Sequence, residues 1–381
     1  MNIPICCVAY NRVNSLRRLL YSLKAADFDG PVTLIISIDK SDSTDVEEFA
    51  DSYQWIHGEK RVIKQSENLG LRRHVLTCGD LLKDYDALVV LEDDITVAQS
   101  FYTYAKQCVE KYKDCMDCAG ISLYNFPLNY HNGLPFTPIH SDSDVYKMKC
   151  AQSWGQIWMR SQWFEFKKWY DCHNDEFGDL PHLPHSICRW PKSSWLKYHT
   201  KYCIEQNKFF IYPYVSLSTN NGDAGTHASK RSSTFQSPML NGYKSSFSLN
   251  PTVQYDGFFE NEEIYSFLGI HKNELCVDLY GEKKNREKKR YWLTLDKIKR
   301  YKILKSYGLD LKPIETNILF ENPGNQIFLY DTSHVANNTF NRINDKIDYF
   351  YSVNTSRLYE LFRNAAIKKL RKITDSMFEK K

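Results

Sequence analysis

The amino-acid sequence predicts an α/β fold, with a mostly parallel sheet flanked by helices. Its main apolar runs are continuous rather than alternating, as in strands that are buried on both faces of a parallel sheet. Segments with helical apolar spacing separate these runs. Acidic residues end two of the runs, at the sheet edge where ligands bind in folds of this class.

The first two strand-and-helix units follow this pattern. Residues 3–9 (IPICCVA) and 32–39 (VTLIISID) predict the first two strands, and Asp39 ends the second. The helix between them, NSLRRLLYSLKAA, places its leucines on one face and offers Asn14 or Ser15 as its N-cap. After the second strand, SDSTDVEEFADSY supplies capping residues and an acidic first turn, which predict a second helix.

Two further units complete the predicted sheet. RVIKQS predicts a short strand, and the turn signal Asn68-Leu69-Gly70 introduces a helix in LRRHVLTCGDLLKD. ALVVLED predicts the next strand, and we expect Ser100 to cap the helix SFYTYAKQCVEKYKD that follows it.

Composition and charge narrow the classes of function. The chain has 381 residues, of which 42% are hydrophobic and 25% charged, as in folded rather than disordered proteins. A net charge of +4 implies no strong field for nucleic acid, so nucleic acid is not an expected partner. Because the N-terminus has no leader pattern and no apolar run reaches about 18 residues, we expect a cytoplasmic protein. The eleven cysteines are then expected to be reduced thiols, and one lone CxxC does not predict a zinc site.

Three adjacent carboxylates, Glu92, Asp93 and Asp94, end the apolar run of the fourth predicted strand. Like charges this close repel one another unless solvent or a cation neutralises them. Mn²⁺ or Mg²⁺ is typically held by one or two carboxylates together with substrate phosphates, an arrangement that suits a nucleotide diphosphate. The pattern therefore predicts a metal-assisted diphosphate site, and the alternative is that these acids are solvated loop or capping residues.

Four segments, in this order, resemble the inverting N-acetylglucosaminyltransferase I family and its bacterial relatives: VAYNRVNSLRRLL, IISID, NLGLRRHV and LVVLEDDITVAQSFYTYA. Further on, AQSWGQIW, WPKSSW and YPYVSLSTNNGDAGTH resemble bacterial glycosyltransferases of surface-polysaccharide loci, which extends the likeness to about residue 230. The resemblance implies a GT-A (Rossmann-like) fold with an acidic DXD-type motif. It also implies a metal-dependent, inverting transfer from a nucleotide-diphosphate sugar to a glycan or lipid-linked glycan of capsule, O-antigen or lipopolysaccharide.

The same resemblance implies roles for the residues that match the family's donor motifs. Arg12 would contact nucleotide or phosphate, and Asp39 would bind the base. Asp94 would ligate the metal, Asp93 would lie beside it at the ribose, and Glu92 would accept from the sugar hydroxyls. Two alternatives stay open from the residues alone: Arg12 as an exposed first-turn cation and Asp39 as a helix-cap partner.

Three further matched residues lie at a turn that the family places near the donor: Asn68, Gly70 and Arg73. The alternative is an ordinary Asn-Leu-Gly turn. His227, in DAGTH, is a candidate second metal ligand or diphosphate donor, because imidazole can ligate a metal when neutral and donate to phosphate when protonated.

On the acceptor side, Trp154 and Gly155 are candidates for a platform under a sugar ring, and Trp195 belongs to the matched WPKSSW segment. The alternative for the aromatic residues is a buried core. In the eukaryotic enzymes the Trp of this last segment is followed by aspartates, one of which is the catalytic base. Here Trp195 is followed by Leu196 and Lys197, so the base is not assigned by motif.

Four carboxylates on predicted loops are candidates for the missing base: Asp175, Glu176, Asp179 and Asp223. Our preference from sequence is Asp179 or Asp223. The absent motif base keeps open a non-catalytic glycan-binding or scaffold protein derived from such an enzyme. A sugar-phosphate nucleotidyltransferase would need a glycine-rich loop after the first strand, and AYNRVNSLRR contains no glycine.

The resemblance and the composition together divide the chain in two. Residues 1–245 form the predicted GT-A domain, with a nucleotide-sugar half in 1–125 and an acceptor half in 126–245. Residues 246–381 form an accessory region, and the Ser- and Asn-rich stretch near 230–255 is the expected boundary or mobile loop. The tail 356–381 predicts an amphipathic helix with eight Lys or Arg and three Asp or Glu. Such a helix can lie on the cytoplasmic face of an anionic inner membrane, pack on its own domain, or pair with a second copy in a homodimer.

Overall fold

A computed structural model describes residues 3–223, 232–284, 286–340, 345–351, 358–360, 362–367 and 369. The strands are β1 (Ile5–Ala9), β2 (Leu34–Ile38), β3 (Lys60–Lys64), β4 (Ala87–Glu92), β5 (Ile95–Val97), β6 (Cys118–Ser122), β7 (Leu128–Asn129), β8 (Leu134–Pro135), β9 (Val145–Met148), β10 (Gln156–Met159), β11 (Phe209–Pro213), β12 (Ser218–Asn220), β13 (Gln254–Tyr255), β14 (Leu275–Asp278), β15 (Tyr291–Thr294), β16 (Tyr301–Tyr307) and β17 (Ile327–Val335). The helices are α1 (Val13–Lys24), α2 (Asp45–Ser52), α3 (Gly70–Gly79), α4 (Phe101–Tyr112), α5 (Arg160–Cys172), α6 (His185–Cys188), α7 (Trp195–Glu205), α8 (Glu263–Leu268), α9 (Thr316–Leu319) and α10 (Asp345–Tyr351), with short 3₁₀ helices at Asp80–Lys83 and Arg286–Lys288.

The main element is a nine-stranded sheet in the order β13-β9-β11-β6-β10-β4-β1-β2-β3. Strands β4, β1, β2 and β3 are parallel neighbours, and β6 is parallel to β11. Strand β10 is antiparallel to both of its neighbours, β4 and β6. Helices cover both faces, so the predicted α/β class with a mostly parallel sheet is confirmed.

Burial of the strands explains why the sequence predicts them. Every residue of β1 and β2 is buried, which continuous apolar runs require. The edge strand β3 has the charged sequence KRVIK and is partly exposed, as expected where a strand has one free edge. The leucines of α1 lie on its buried face, as predicted. The predicted cap of α1 was wrong: Arg12 is at the N-cap position, and no side chain caps the helix there.

The direction of β10 determines where the next connection lies. Met159, at the end of β10, pairs with Ala87 at the start of β4, so α5 begins at the amino edge of the sheet. Helix α5 then returns to the carboxyl edge, and α7 runs back from it toward β11. The connection between them, residues 173–194, is therefore at the same carboxyl edge as the end of β4.

Within the expected boundary or mobile loop, residues 242–249 lie against α4, and we call this segment the strap. Ser100 Oγ accepts from the Lys244 amide at 2.7 Å and donates to the Gly242 carbonyl at 3.2 Å. Tyr112 Oη donates to the Leu249 carbonyl at 2.8 Å. Ser100 does hold the N-cap position of α4, but its hydroxyl binds the strap rather than a helix amide, which corrects its predicted role.

The C-terminal region begins inside the central sheet. Strand β13 is the edge of the nine-stranded sheet although it lies beyond the predicted boundary at residue 245. A separate four-stranded sheet, β14-β15-β17-β16, follows it. Of the tail 356–381, the structure describes helical residues 358–360, 362–367 and 369, where Tyr359, Phe362 and Ile367 are exposed. Across the described ranges, we find no helix that is long and apolar enough to span a bilayer.

Candidate functional site

The acidic cluster, Glu92 to Asp94, lies where β4 leaves the middle of the central sheet. Glu92 is the last residue of β4, and Asp93 and Asp94 form the turn into β5. Because β4 is fixed between β1 and β10, its end is a rigid support. Both aspartates are buried, with exposed fractions of 3% for Asp93 and 9% for Asp94.

Arg12, which precedes α1, is the counter-ion of this cluster. Its guanidinium binds both carboxylate oxygens of Asp93 and donates to Asp94 Oδ2 at 3.2 Å. Burial lowers the pKa of Arg12, but the two aspartates outweigh that effect and raise it. The sequence alternative of an exposed, unpartnered cation therefore does not describe Arg12.

One arginine does not neutralise three acids. Burial, reinforced by Asp94 and Asp93, raises the pKa of Glu92 to about 8. Burial also raises the pKa of Asp93 to about 6, although Arg12 opposes the rise. The Trp195 indole, at the start of α7, hydrogen-bonds Glu92 and favours its charged form. The raised pKa values of Glu92 and Asp93 show that the site disfavours uncompensated negative charge, so a bound cation would stabilise the charged carboxylates.

The donor set fits a hard divalent cation. Asp94 Oδ1 is buried and has no hydrogen-bond partner among the described residues, which is a costly state for a carboxylate oxygen. Across the described ranges, no group of three His, Cys, Asp or Glu side chains forms a cage for a metal. The arrangement thus matches a cation held by one or two carboxylates and completed by phosphate oxygens. His227, the predicted second ligand, lies outside the described residues.

The predicted base-side residues form a capped turn at the ends of β2 and β3. The Asp39 carboxylate accepts from the amides of Leu69 at 2.8 Å and Gly70 at 2.9 Å, so it caps α3. Asn68 donates to the Lys40 carbonyl at 2.8 Å, and Gly70 has a φ of +72°, which favours glycine. These contacts correspond to the cap and turn alternatives, and base binding by Asp39 stays a prediction.

Arg73 forms a surface contact beside this turn. Its side chain is 66% exposed and forms a surface ion pair with Glu67 at 3.2 Å. A pair this exposed contributes little to stability. No contact of Arg73 joins it to the acidic cluster among the described residues, and its predicted donor role stays a prediction.

On the other side of β4, Trp154 and Gly155 lie beside the strand that follows the acids. Strand β12 pairs with β5, and Ser218 of β12 donates to the Trp154 carbonyl at 2.6 Å. Gly155 has a φ of +95°, and a Cβ there would lie 2.8 Å from Ser218 Oγ. The half-buried Trp154 ring contacts Tyr124 and Phe235, with centroids 4.9 and 5.3 Å away. Close approach, rather than a sugar platform alone, therefore requires glycine at position 155.

The two preferred base candidates are both engaged in ion pairs. Asp179 pairs with Lys284 at 3.1 Å and His185 at 2.7 Å, and these partners lower its pKa. Asp223 pairs with Arg18 and accepts from Ser15 Oγ at 2.8 Å, which ties it to α1. Nothing among these contacts brings either carboxylate to the Trp195 side of the cluster.

Sequence reasoning missed two cations that organise the carboxyl edge. Lys197, noted only as a departure from the family's base motif, is buried at 1% exposure and donates to the carbonyls of Phe177, Cys188 and Trp190 at 2.9–3.1 Å. Arg72 was not singled out at all. It donates to the Asn174 and Lys192 carbonyls at 2.7 and 3.0 Å.

The tyrosines of α5 and α7 complete the Arg72 site. Arg72 donates to Tyr170 Oη at 2.6 Å and Tyr198 Oη at 3.2 Å, and its guanidinium lies 4.1 Å from the Tyr198 ring centroid. The sequence shows only that Lys197 stands among aromatic residues and that Arg72 follows the turn at Asn68 to Gly70. Neither signal specifies a contact partner.

Comparison with known proteins gives fold-level likenesses only. No protein-family model matches the sequence, and the search of curated proteins finds no relative. Among solved structures, S. aureus TarS 1-349 is 10% identical over 58% of this chain and 61% of its own, with a TM-score of 0.37. GalNAc-T7 with UDP, GalNAc and Mn²⁺ is 13% identical over 57% and 43%, with a TM-score of 0.38. The mannosyltransferase PcManGT from Pyrobaculum calidifontis, in complex with GDP-Man and Mn²⁺, is 10% identical over 56% and 58%, with a TM-score of 0.34. Each match thus takes in less than two thirds of either chain, and the likeness to the N-acetylglucosaminyltransferase I family stays a prediction.

Proposed function

We propose that the chain is a metal-dependent glycosyltransferase. It would transfer a sugar, with inversion, from a nucleotide-diphosphate sugar to a glycan or lipid-linked glycan of a bacterial surface polysaccharide. The observation that carries this proposal is the buried Asp94 Oδ1, which lacks a partner inside a cluster of three carboxylates at the carboxyl end of β4. A divalent cation that is also bound by the phosphate oxygens of a nucleotide would satisfy that oxygen and neutralise the cluster.

The residues of the cluster would divide the donor between them. Asp94, with Asp93, would hold Mn²⁺ or Mg²⁺, and the bound cation would stabilise the charge that develops on the departing diphosphate. Arg12 would donate to phosphate from its place against both aspartates. Glu92, oriented by the Trp195 indole, would accept from hydroxyls of the donor sugar.

The metal-dependent binding of a nucleotide tests this proposal. Calorimetry with UDP, GDP, CDP and dTDP, each with and without Mn²⁺, should give Mn²⁺-dependent binding of at least one of them. Asp94→Asn should weaken that binding by at least about 10- to 100-fold, the cost that loss of even an outer-shell partner of a metal incurs.

Asp86→Asn is the matched control for that experiment. Asp86 lies just before β4, at the opposite end of the same strand, and makes an exposed surface pair with Arg160 at 3.3 Å. Its substitution should leave nucleotide binding unchanged. The proposal fails if no nucleoside diphosphate binds in a Mn²⁺-dependent way, or if Asp94→Asn binds like Asp86→Asn.

A further part of the proposal concerns the membrane. Most described residues of the tail helix are exposed, and they include Tyr359, Phe362 and Ile367 together with Arg363. Aromatic and basic residues on one exposed helix suit the surface of an anionic bilayer. We therefore propose peripheral contact of residues 356–381 with the cytoplasmic face of the inner membrane, where a lipid-linked acceptor would be presented.

A further inference from the structure

The acceptor loop, residues 173–194, is clamped on both sides of one glutamate. Arg72 holds the Asn174 carbonyl at 2.7 Å, and Lys197 holds the Phe177 carbonyl at 3.1 Å. Glu176 lies between these two points. Cations that donate to backbone carbonyls fix the path of a loop without using its side chains. The position of Glu176 is thus set by the backbone, while its carboxylate is left for other use.

The Glu176 carboxylate is exposed and makes neither a hydrogen bond nor an ion pair in the part of the chain that the structure describes. Asp179 and Asp223, by contrast, are already paired with Lys284 and Arg18. A general base needs a free lone pair and access to the acceptor hydroxyl. Glu176 is exposed and unpaired among the described residues, whereas both aspartates are held by cations.

A chain of contacts connects the backbone of this loop, two residues before Glu176, to the acidic cluster along one helix. Trp195, at the start of α7, hydrogen-bonds Glu92, and Tyr198 lies one turn further along the same helix. The Tyr198 hydroxyl accepts from Arg72, which also holds the Asn174 carbonyl beside Glu176. Burial raises the pKa of Tyr198, and electrostatic repulsion from the Glu176 carboxylate contributes to the rise.

Asp175 is the natural comparison within the loop. It lies between the same two clamps, is exposed, and likewise makes no hydrogen bond or ion pair among the described residues. Glu176, however, is the loop carboxylate whose charge acts on both Tyr198 and Lys197. Glu176 also directly precedes Phe177, whose carbonyl Lys197 of α7 holds at 3.1 Å, so the backbone at Glu176 lies against α7.

We propose that Glu176 is the catalytic base of this chain, an inference that rests on the proposed glycosyltransferase function. The acceptor oxygen forms a bond to the anomeric carbon as the bond from that carbon to the diphosphate oxygen breaks with inversion. The proton of the acceptor hydroxyl passes to a Glu176 carboxylate oxygen, and the bonding electron pair leaves with the nucleoside diphosphate. Glu176 thus takes the role that the motif after Trp195 does not supply.

We test the assignment by measuring the release of nucleoside diphosphate from a panel of nucleotide sugars. Water serves as the acceptor, so no glycan acceptor has to be known. Glu176→Gln should lower kcat by roughly 10²- to 10⁴-fold, the usual contribution of a general base, with KM for the nucleotide sugar about unchanged. The acidic limb of the pH profile of kcat should disappear in Glu176→Gln and reappear in Glu176→Asp. A merely structural role for Glu176 would not move that limb.

Asp175→Asn is the matched control, and it should keep the wild-type kcat and pH profile. Calorimetry with the nucleoside diphosphate and Mn²⁺ should give equal binding for both variants and the wild type, which excludes misfolding. If Glu176→Gln turns over like Asp175→Asn, the base is elsewhere and the proposed function stands. If the wild type releases diphosphate from no nucleotide sugar, the proposed function itself fails, and the role of Glu176 fails with it.

Discussion

The raised pKa of Glu92 makes the stability of the metal-free protein depend on pH. The folded state raises this pKa from 4.5 to about 8, so the folded protein binds the Glu92 proton more tightly than the unfolded chain does. The stabilisation is therefore complete below pH 4.5 and is lost as the pH rises through about 8. Between those values the slope is about 1.4 kcal/mol per pH unit. From pH 5.5 to 8, the free energy of unfolding should fall by roughly 3 kcal/mol through this group.

Glu92→Gln should remove that slope, because a glutamine carries no proton to lose. Urea unfolding followed by circular dichroism at intervals from pH 5.5 to 9, without divalent metal, measures it. Asp179→Asn is the control, since the pKa of Asp179 is lowered and its exposed carboxylate titrates below this window. Equal slopes for wild type and Glu92→Gln between pH 5.5 and 8 would refute the electrostatic account of the cluster.

Three further predictions concern the surroundings of the site. Gly155→Ala should lower the free energy of unfolding by about 1–3 kcal/mol in urea titrations, because it combines a positive φ with a clash against Ser218; Gly133→Ala has a similar φ but open space, so a larger loss there would contradict the clash. Lys197→Met should cost about 1–3 kcal/mol in the same assay, because it leaves buried carbonyls without their donor, whereas Lys192→Met, on an exposed residue, should be near neutral; similar losses would argue against the clamp. Deletion of residues 356–381 should abolish co-sedimentation with vesicles of anionic lipid and leave nucleotide binding intact; retained sedimentation would exclude the tail as the contact.

The sequence predicted the sheet well because its signals are local. Continuous burial of β1, β2 and β4 leaves long apolar runs, and the leucine face of α1 follows helical spacing. The acids after β4 were legible for the same reason, since a strand end and its charges are adjacent in the chain. The prediction of the fold class rests on these local patterns.

The sequence did not predict hydrogen-bond partners that are distant along the chain. Ser100 looked like a helix cap, yet its hydroxyl binds the strap at Gly242 and Lys244, which no spacing rule connects to it. Asp39 could be either a ligand-binding acid or a helix-cap partner from sequence, and hydrogen bonds from two backbone amides show that it caps α3, about thirty residues later. A short polar side chain reads the same in sequence whichever backbone group it satisfies.

The site was predicted unevenly for a similar reason. Glu92 to Asp94 are visible in the sequence as three adjacent acids. Arg72 and Lys197 bind backbone carbonyls, which every residue carries, so the sequence does not identify their partners. Glu176 was one of four candidates for the base, and the sequence preference was for Asp179 or Asp223 instead. The choice depended on which carboxylates were already paired, and ion pairing between distant residues is set only by the fold.

The Lys197 contacts also constrain how this chain could evolve. An aspartate at position 197 would place an acidic residue after Trp195, but it would turn a negative charge toward the carbonyl oxygens of Phe177, Cys188 and Trp190. Those oxygens repel a carboxylate, so the substitution is unfavourable until the loop that presents them has also changed. Such a single substitution at position 197 is therefore not tolerated without a compensating change in the loop, so the lysine and the loop are expected to change together.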